Sequence, residues 1–291
     1  MTNEQTPRTA LVLGGGGMTG IAWETGVLVG LQDAGVDLST ADLVIGTSAG
    51  SVVGAQVTSG MSLPELYERQ LDPPVAERLA KISRLVLARW VLAALVSRGD
   101  SEAFARRVGR MAIRAAARGR TPTLQQRLTA IGGRLPQHAW PERDLRVTTV
   151  DARTGRLRVL DSDSGVDLVT AVASSCAVPG VYPPVLIDGQ PYIDGGIRSG
   201  SNVDLAAGAE RVVILSPMSR GIGPMTSARE QAAAWSPDKI TLVTPDSAAV
   251  AAIGKNVLDP AAQAGSARAG RAQAAAIAET VRAVWSPPNV P

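Results

Sequence analysis

The chain has 291 residues, 45% of them hydrophobic and only 3% aromatic, so it can bury a large core and must build it from Val, Leu, Ile and Ala. Its net charge of +3 is carried almost wholly by arginine and is uneven, with fourteen arginines against five acids between Arg98 and Arg158. The single cysteine, Cys176, excludes an internal disulfide and offers no metal cluster, and without zinc-finger spacing or an aromatic RNP-like run the basic stretch gives no support to nucleic-acid binding.

The N-terminus, MTNEQTPRT, is polar and has no apolar core of the signal-peptide kind, so residues 1–8 are expected as a disordered tail of a cytoplasmic protein. Thr9–Leu13 is a short Val/Leu-rich run and predicts a buried strand. Gly14 to Gly20 follows as a glycine-rich loop. Ile21, Thr25, Leu28, Val29 and Leu31 then recur near helical spacing, with Gly35 as the stop. A second strand, Leu43–Ile45, runs into Gly46-Thr47-Ser48-Ala49-Gly50 and a helix beyond Ser51. Strand, glycine loop, helix, strand, serine turn and helix in that order argue for a mainly parallel sheet with helices on its faces.

The G-x-S-x-G turn lifts Ser48 clear of its neighbours. Gly46 and Gly50 flank a corner where a Cβ would collide with the adjoining backbone. The helix starting at Ala49 turns its free N–H groups and positive end toward the serine. The first loop fits two uses. Gly15, Gly17 and Gly20 have the dinucleotide spacing, but the next strand ends in Gly46-Thr47-Ser48, not in a ribose-binding acid, and no G-K-[ST] is present. The other use is an oxyanion hole made by N–H groups of Gly15, Gly16 and Gly17, which parallel pairing of the two strands would set beside Ser48.

From Leu63 to Ala130 the pattern is helical throughout, with helices opening at Leu63, spanning Val75–Val96 and Ser101–Arg118, the last of these with a serine cap, and following Thr121. This region is expected as a cap within a single domain spanning 1–291. The longest apolar run, Leu85–Val96, is about twelve residues and is broken by Arg89, short of the roughly 20 a membrane span needs. Lys81, Arg84 and Arg89 make the Val75–Val96 helix a candidate for lying on a membrane surface, although a buried helix covering the sheet or the site is the stronger expectation. The basic stretch as a whole meets either an anionic surface or only water. Leu145–Val150 and Leu157–Asp161 are strands joined in a hairpin at Thr154-Gly155, Val166–Ser175 is helical, and Pro184–Ile187 and Pro191–Ile193 are strand-like runs separated by Asp188-Gly189-Gln190. Strands at Arg211–Leu215 and Lys239–Val243 and a final helix from about Pro260 to Trp285 complete the chain.

A nucleophilic serine needs a base. The only histidine, His138, is preceded by helical sequence that offers no acid at a strand end, so it is read as structural or exposed. Asp194 in Asp194-Gly195-Gly196 directly follows a strand, and two glycines clear the space beside it. In an apolar site its pKa would rise from about 3.9 and make it a better base.

Three motifs in this order, together with Ala173 to Pro184 (ASSCAVPGVYPP), resemble the patatin-like phospholipases over roughly residues 9–215. The resemblance implies a three-layer α/β/α fold and a Ser–Asp dyad without histidine. It also implies hydrolysis of lipid acyl esters with no metal or cofactor. Ser48 then matches the nucleophile, Asp194 the base, and Gly15 to Gly17 the oxyanion donors. The Ala49 N–H, at the helix start beside Ser48, is expected as a further donor independently of the resemblance. One position departs: Thr19 stands where the family usually carries Arg or Lys, which removes a charge near the site. Arg198 is a substitute source, a surface arginine the alternative. An acyltransferase using the same dyad, and a lipid- or membrane-binding protein without catalysis, are the rival readings. Oligomeric state and head-group preference have no signature in the sequence.

Overall fold

The computed structural model describes residues 8–72, 80–218, 221 and 223–286. The expected tail lies outside the described residues except for Arg8, whose carbonyl accepts from the Arg211 N–H.

β1 (Thr9–Leu13) is buried from Ala10 onward. α1 (Gly17–Asp33) begins at Gly17, not Ile21, so the glycine run is half loop and half first helical turn. β2 (Leu43–Thr47) extends past its apolar residues to Thr47, and α2 (Ala49–Val57) follows Ser48 at once. Next come α3 (Leu63–Leu71), α4 (Arg84–Ser97), α5 (Ser101–Ala117) and α6 (Leu124–Gly132). The cap of α5 is Asp100, which accepts from the Ala103 N–H, and not the expected serine. Positions 75–79 of the expected Val75–Val96 helix lie outside the described residues. The remaining elements are β3 (Asp144–Asp151), β4 (Leu157–Leu160), α7 (Leu168–Ser175), β5 (Val185–Ile187), β6 (Gln190–Asp194), β7 (Arg211–Leu215), α8 (Ala228–Ala232), β8 (Ile240–Val243), α9 (Ser247–Ile253) and α10 (Gln263–Trp285).

The sheet has the order β5-β6-β3-β2-β1-β7-β8, with β4 also paired to β3. β3, β2, β1, β7 and β8 run parallel; β4, β5 and β6 form the antiparallel end. Alternation along the central strands feeds two faces. Leu11, Leu13 and Val44 join α1, α2, α7 and α10 in the main core. Ala10, Val12, Leu43 and Ile45 meet Val203, Ala206 and Ala228 on the opposite side.

α1 is buried from Thr19 to Leu31 with no polar face, as a helix enclosed on all sides must be. It packs on α10 almost backbone to backbone. A Cβ on Gly26 would lie 2.1 Å from the Ala267 carbonyl oxygen, and one on Gly270 would lie 2.3 Å from that of Trp23.

The stretch 63–130 does not form one cap. α3 packs on α1 and α10, and α6 on α7, so both belong to the main helical layer. Only α4 and α5 form a separate pair. Trp90, Phe104, Ala105 and Val108 seat that pair on Val150, Ala152, Ile193 and Ile197 at the antiparallel end of the sheet.

Candidate active site

Parallel pairing of β1 with β2 brings both glycine-bearing strand ends to one edge of the sheet, with Leu13 opposite Gly46. Ser48 sits between β2 and α2 at φ 52°, ψ −114°, a conformation disfavoured for any residue but glycine. The flanking glycines are sterically required. A Cβ on Gly50 would fall 2.1 Å from the Leu13 carbonyl oxygen, and one on Gly46 2.5 Å from Ser51 Cα. The Gly50 N–H donates to the Gly14 carbonyl and ties the corner to the first loop.

β6 pairs antiparallel with the end of β3, setting Thr149 opposite Asp194. Gly195 lets this turn lie against β3, since a Cβ there would be 2.4 Å from Thr148 Oγ1. The two side chains singled out in the sequence therefore meet: Ser48 Oγ donates to Asp194 Oδ2 at 2.8 Å across 146 positions of chain. Asp194 Oδ1 accepts from the Gly196 N–H at 2.8 Å. Both side chains are buried. Burial pushes the Asp194 carboxyl up to about 6. The hydrogen bonds from Ser48 and Gly196 and the nearby Arg127 guanidinium act against that rise.

The glycine loop divides its N–H groups. Gly14 N–H is shared between Leu215 O and Glu24 Oε1. Gly15 N–H donates to Gly200 O at 2.7 Å, so Gly15 is not a free donor, contrary to expectation. A Cβ on Gly15 would meet Ser48 Cβ at 3.5 Å, an ordinary van der Waals contact, so packing does not demand glycine there as it does at Gly46 and Gly50. The N–H groups of Gly16, Gly17 and Ala49 have no acceptor among the described residues. Gly17 and Ala49 line a cavity of about 20 Å3 together with Ser48, Met18, Arg127 and Tyr182. A hydroxyl bonded to a buried carboxylate, beside unpaired N–H groups at two helix starts, is a site suited to nucleophilic attack with oxyanion formation.

Several residues here had no signal beyond their presence in a motif or helix. Ser175 Oγ accepts the Ser48 N–H at 2.8 Å, and Ser51 Oγ and Cys176 Sγ lie against the Ser48 carbonyl. Asn202 Nδ2 joins Thr47 Oγ1 at 3.0 Å and Thr148 Oγ1 at 3.3 Å beneath the dyad. Glu24 is fully buried behind the loop, and burial pushes its carboxyl well above its ordinary value while the hydrogen bond from the Gly14 N–H acts against that rise. The charge missing at Thr19 enters from elsewhere. Arg127 of α6, 4% exposed and stacked 3.7 Å from the Tyr182 ring, lines the Ser48 cavity together with Arg134. Arg198 does not supply it, being held bidentately by Asp204. His138 bonds the Gly132 carbonyl and is not among the residues around Ser48. Among the described residues no group of His, Cys, Asp or Glu could hold a metal.

Fold and site thus define a mixed α/β protein with a mostly parallel sheet and a buried serine–aspartate pair. The profile of the patatin-like phospholipases matches residues 11–207, and the chain belongs to this family of lipid acyl hydrolases. No curated protein matches it. VipD from Legionella pneumophila shares the fold at 12% identity and TM-score 0.50, over 95% of this chain and 67% of its own. ExoU, in its complex with SpcU from Pseudomonas aeruginosa, aligns at 18% identity and TM-score 0.40 over 96% of this chain and 52% of its own.

Proposed function

We propose that the chain is a serine hydrolase of lipid acyl esters that works through Ser48 and Asp194. The observation that carries this is the 2.8 Å hydrogen bond between Ser48 Oγ and Asp194 Oδ2 in a buried site. Asp194 takes the hydroxyl proton as Oγ bonds to the ester carbonyl carbon. The carbonyl oxygen becomes an oxyanion received by N–H groups of Gly16, Gly17 and Ala49, each such donor typically contributing about 10²–10³ in rate. The ester C–O bond breaks and the departing alcohol takes the proton from Asp194. Water then gives a proton to Asp194 as its oxygen attacks the acyl-enzyme, and Ser48 leaves with that proton as the fatty acid is released.

The cavity beside Ser48, about 20 Å3, has room for about one water molecule. An acyl ester is larger than this cavity, so side chains that line it must shift for the ester to reach Oγ. Arg127 and Arg134 supply the positive charge that Thr19 lacks, which suits an ester carrying an anionic group. A binding protein without catalysis would have no use for a carboxylate held on the serine hydroxyl. Acyl transfer would proceed through the same acyl-enzyme with an alcohol replacing water.

A panel of p-nitrophenyl acyl esters and phospholipids, with and without an alcohol acceptor, tests the reading alongside Ser48→Ala. The variant is expected to fold and to lose at least about 10³-fold in kcat. Wild-type activity in Ser48→Ala would end the proposal.

A further inference from the structure

α1 and α4 are both apolar around most of their circumference, and their surroundings differ. α1 is enclosed. α4 buries only Trp90, Ala93 and Ser97, while Leu85, Leu92 and Leu95 are 59%, 60% and 70% exposed. With Leu87, Val91 and Val96, these make six of the eight exposed large hydrophobic residues among those described. A water-soluble surface seldom concentrates them so, and the patch calls for a partner.

Charge identifies the partner. Between residues 80 and 141 the chain carries twelve Lys and Arg against two acids, Asp100 and Glu102, and Arg106 lies against both. A groove of about 970 Å3 runs between α4 and α5 and is rimmed by Lys81, Arg89, Arg110, Arg114, Arg118 and Arg120. None of these six forms an ion pair with a described residue.

We propose that this face docks on an anionic lipid bilayer. α4 lies in the plane of the interface with its leucines among the upper acyl chains, and the α5 arginines sit at the level of the head-group phosphates. Tyr182 borders both the groove and the Ser48 cavity, so the docked face opens where an ester would enter. A second copy of the chain fits less well, because a two-fold contact would set the arginine row against itself. A nucleic acid would use the arginines and leave the leucines in water. The inference deepens the lipid-ester reading by naming the surface from which substrate is drawn, yet binding does not require a working Ser48.

The test is vesicle flotation of the full chain carrying Ser48→Ala, which leaves the lipid intact. Phosphatidylcholine vesicles are compared with mixed phosphatidylcholine–phosphatidylglycerol vesicles at low and high salt. Binding to the mixed vesicles alone, lost at high salt, is expected. Arg114→Glu with Arg118→Glu, and separately Leu92→Ser with Leu95→Ser, are expected to weaken it roughly tenfold or more, with melting temperatures showing that the fold is kept. Equal binding to both vesicle types, no binding at low salt, unaffected variants, or a dimer that the leucine variants dissolve would each overturn the proposal. Failure of the hydrolase reading shows differently: wild type would be inert on every ester while flotation stays as expected.

Discussion

Asp194 carries a charge that the fold resists. With its carboxyl raised to about 6 from 3.8, the folded state holds a proton that the unfolded state has already lost across that window. Stability therefore falls as pH rises from about 4 to about 6, and the full penalty, on the order of 3 kcal/mol, is present at neutral pH. Asp194→Asn keeps an acceptor for the Gly196 N–H and removes the charge. Thermal melts should show it more stable than wild type at pH 7 to 8 and no longer so near pH 4, with kcat reduced at least about 10³-fold. A variant less stable than wild type at neutral pH would contradict the burial argument. Ser48 and Asp194 were legible because each is set among glycines at the end of an apolar strand, a local pattern with a local cause. Ser175, Asn202 and Arg127 were not, because their partners lie on other elements and nothing in their own neighbourhoods marks the contact. Gly15 was misassigned for the same reason: its N–H is taken by Gly200, 185 positions along the chain.

At the scale of elements, the contact between α1 and α10 sets how the sheet is covered. Gly30 lies where a Cβ would be 2.5 Å from the Arg271 carbonyl oxygen, whereas Gly265 in α10 has nothing within 4 Å. Gly30→Val should cost at least about 3 kcal/mol in denaturant unfolding, since backbone on backbone cannot yield as a side chain can. Gly265→Ala should be neutral or stabilising by up to about 1 kcal/mol. Equal costs at the two sites would mean that the helices do not meet as described. The strands were legible from apolar runs ended by Gly, Asp or Pro. The start of α1 was not, because a run of glycines signals a loop wherever it occurs, and here Gly17 opens the helix at φ 63° with its Cβ position against Val257. The proposed single cap failed likewise. Helical periodicity over 63–130 says that helices form, and only tertiary contacts separate α3 and α6 from the α4–α5 pair.

Across the whole molecule, charge is segregated. Residues 80–141 hold twelve Lys and Arg and two acids, while the rest of the chain holds seventeen Lys and Arg and twenty-four acids. A net charge of +3 hides a strongly basic segment on an acidic body. Hydrolysis at an anionic bilayer should therefore weaken steeply between about 0.05 and 0.5 M salt, as the screening length shrinks, while hydrolysis of a soluble short-chain ester stays within about twofold. Parallel salt responses would place the basic segment outside the reaction. Composition revealed a basic stretch at Arg98–Arg158, but only the fold joins it to the apolar helix before it. The expectation of a buried helix is met on one side of α4, where Trp90 and Ala93 pack over the sheet, and not on the other, where its leucines are exposed.

The dyad itself is tested most directly by labelling Ser48 with a fluorophosphonate probe as a function of pH, in wild type and in Asp194→Asn. Labelling of wild type should rise through about pH 6 as Asp194 ionises, and the variant should stay at least about a hundredfold slower at every pH. Equal labelling of the two proteins, or a wild-type rate that does not change between pH 4 and 8, would contradict a serine activated by this aspartate.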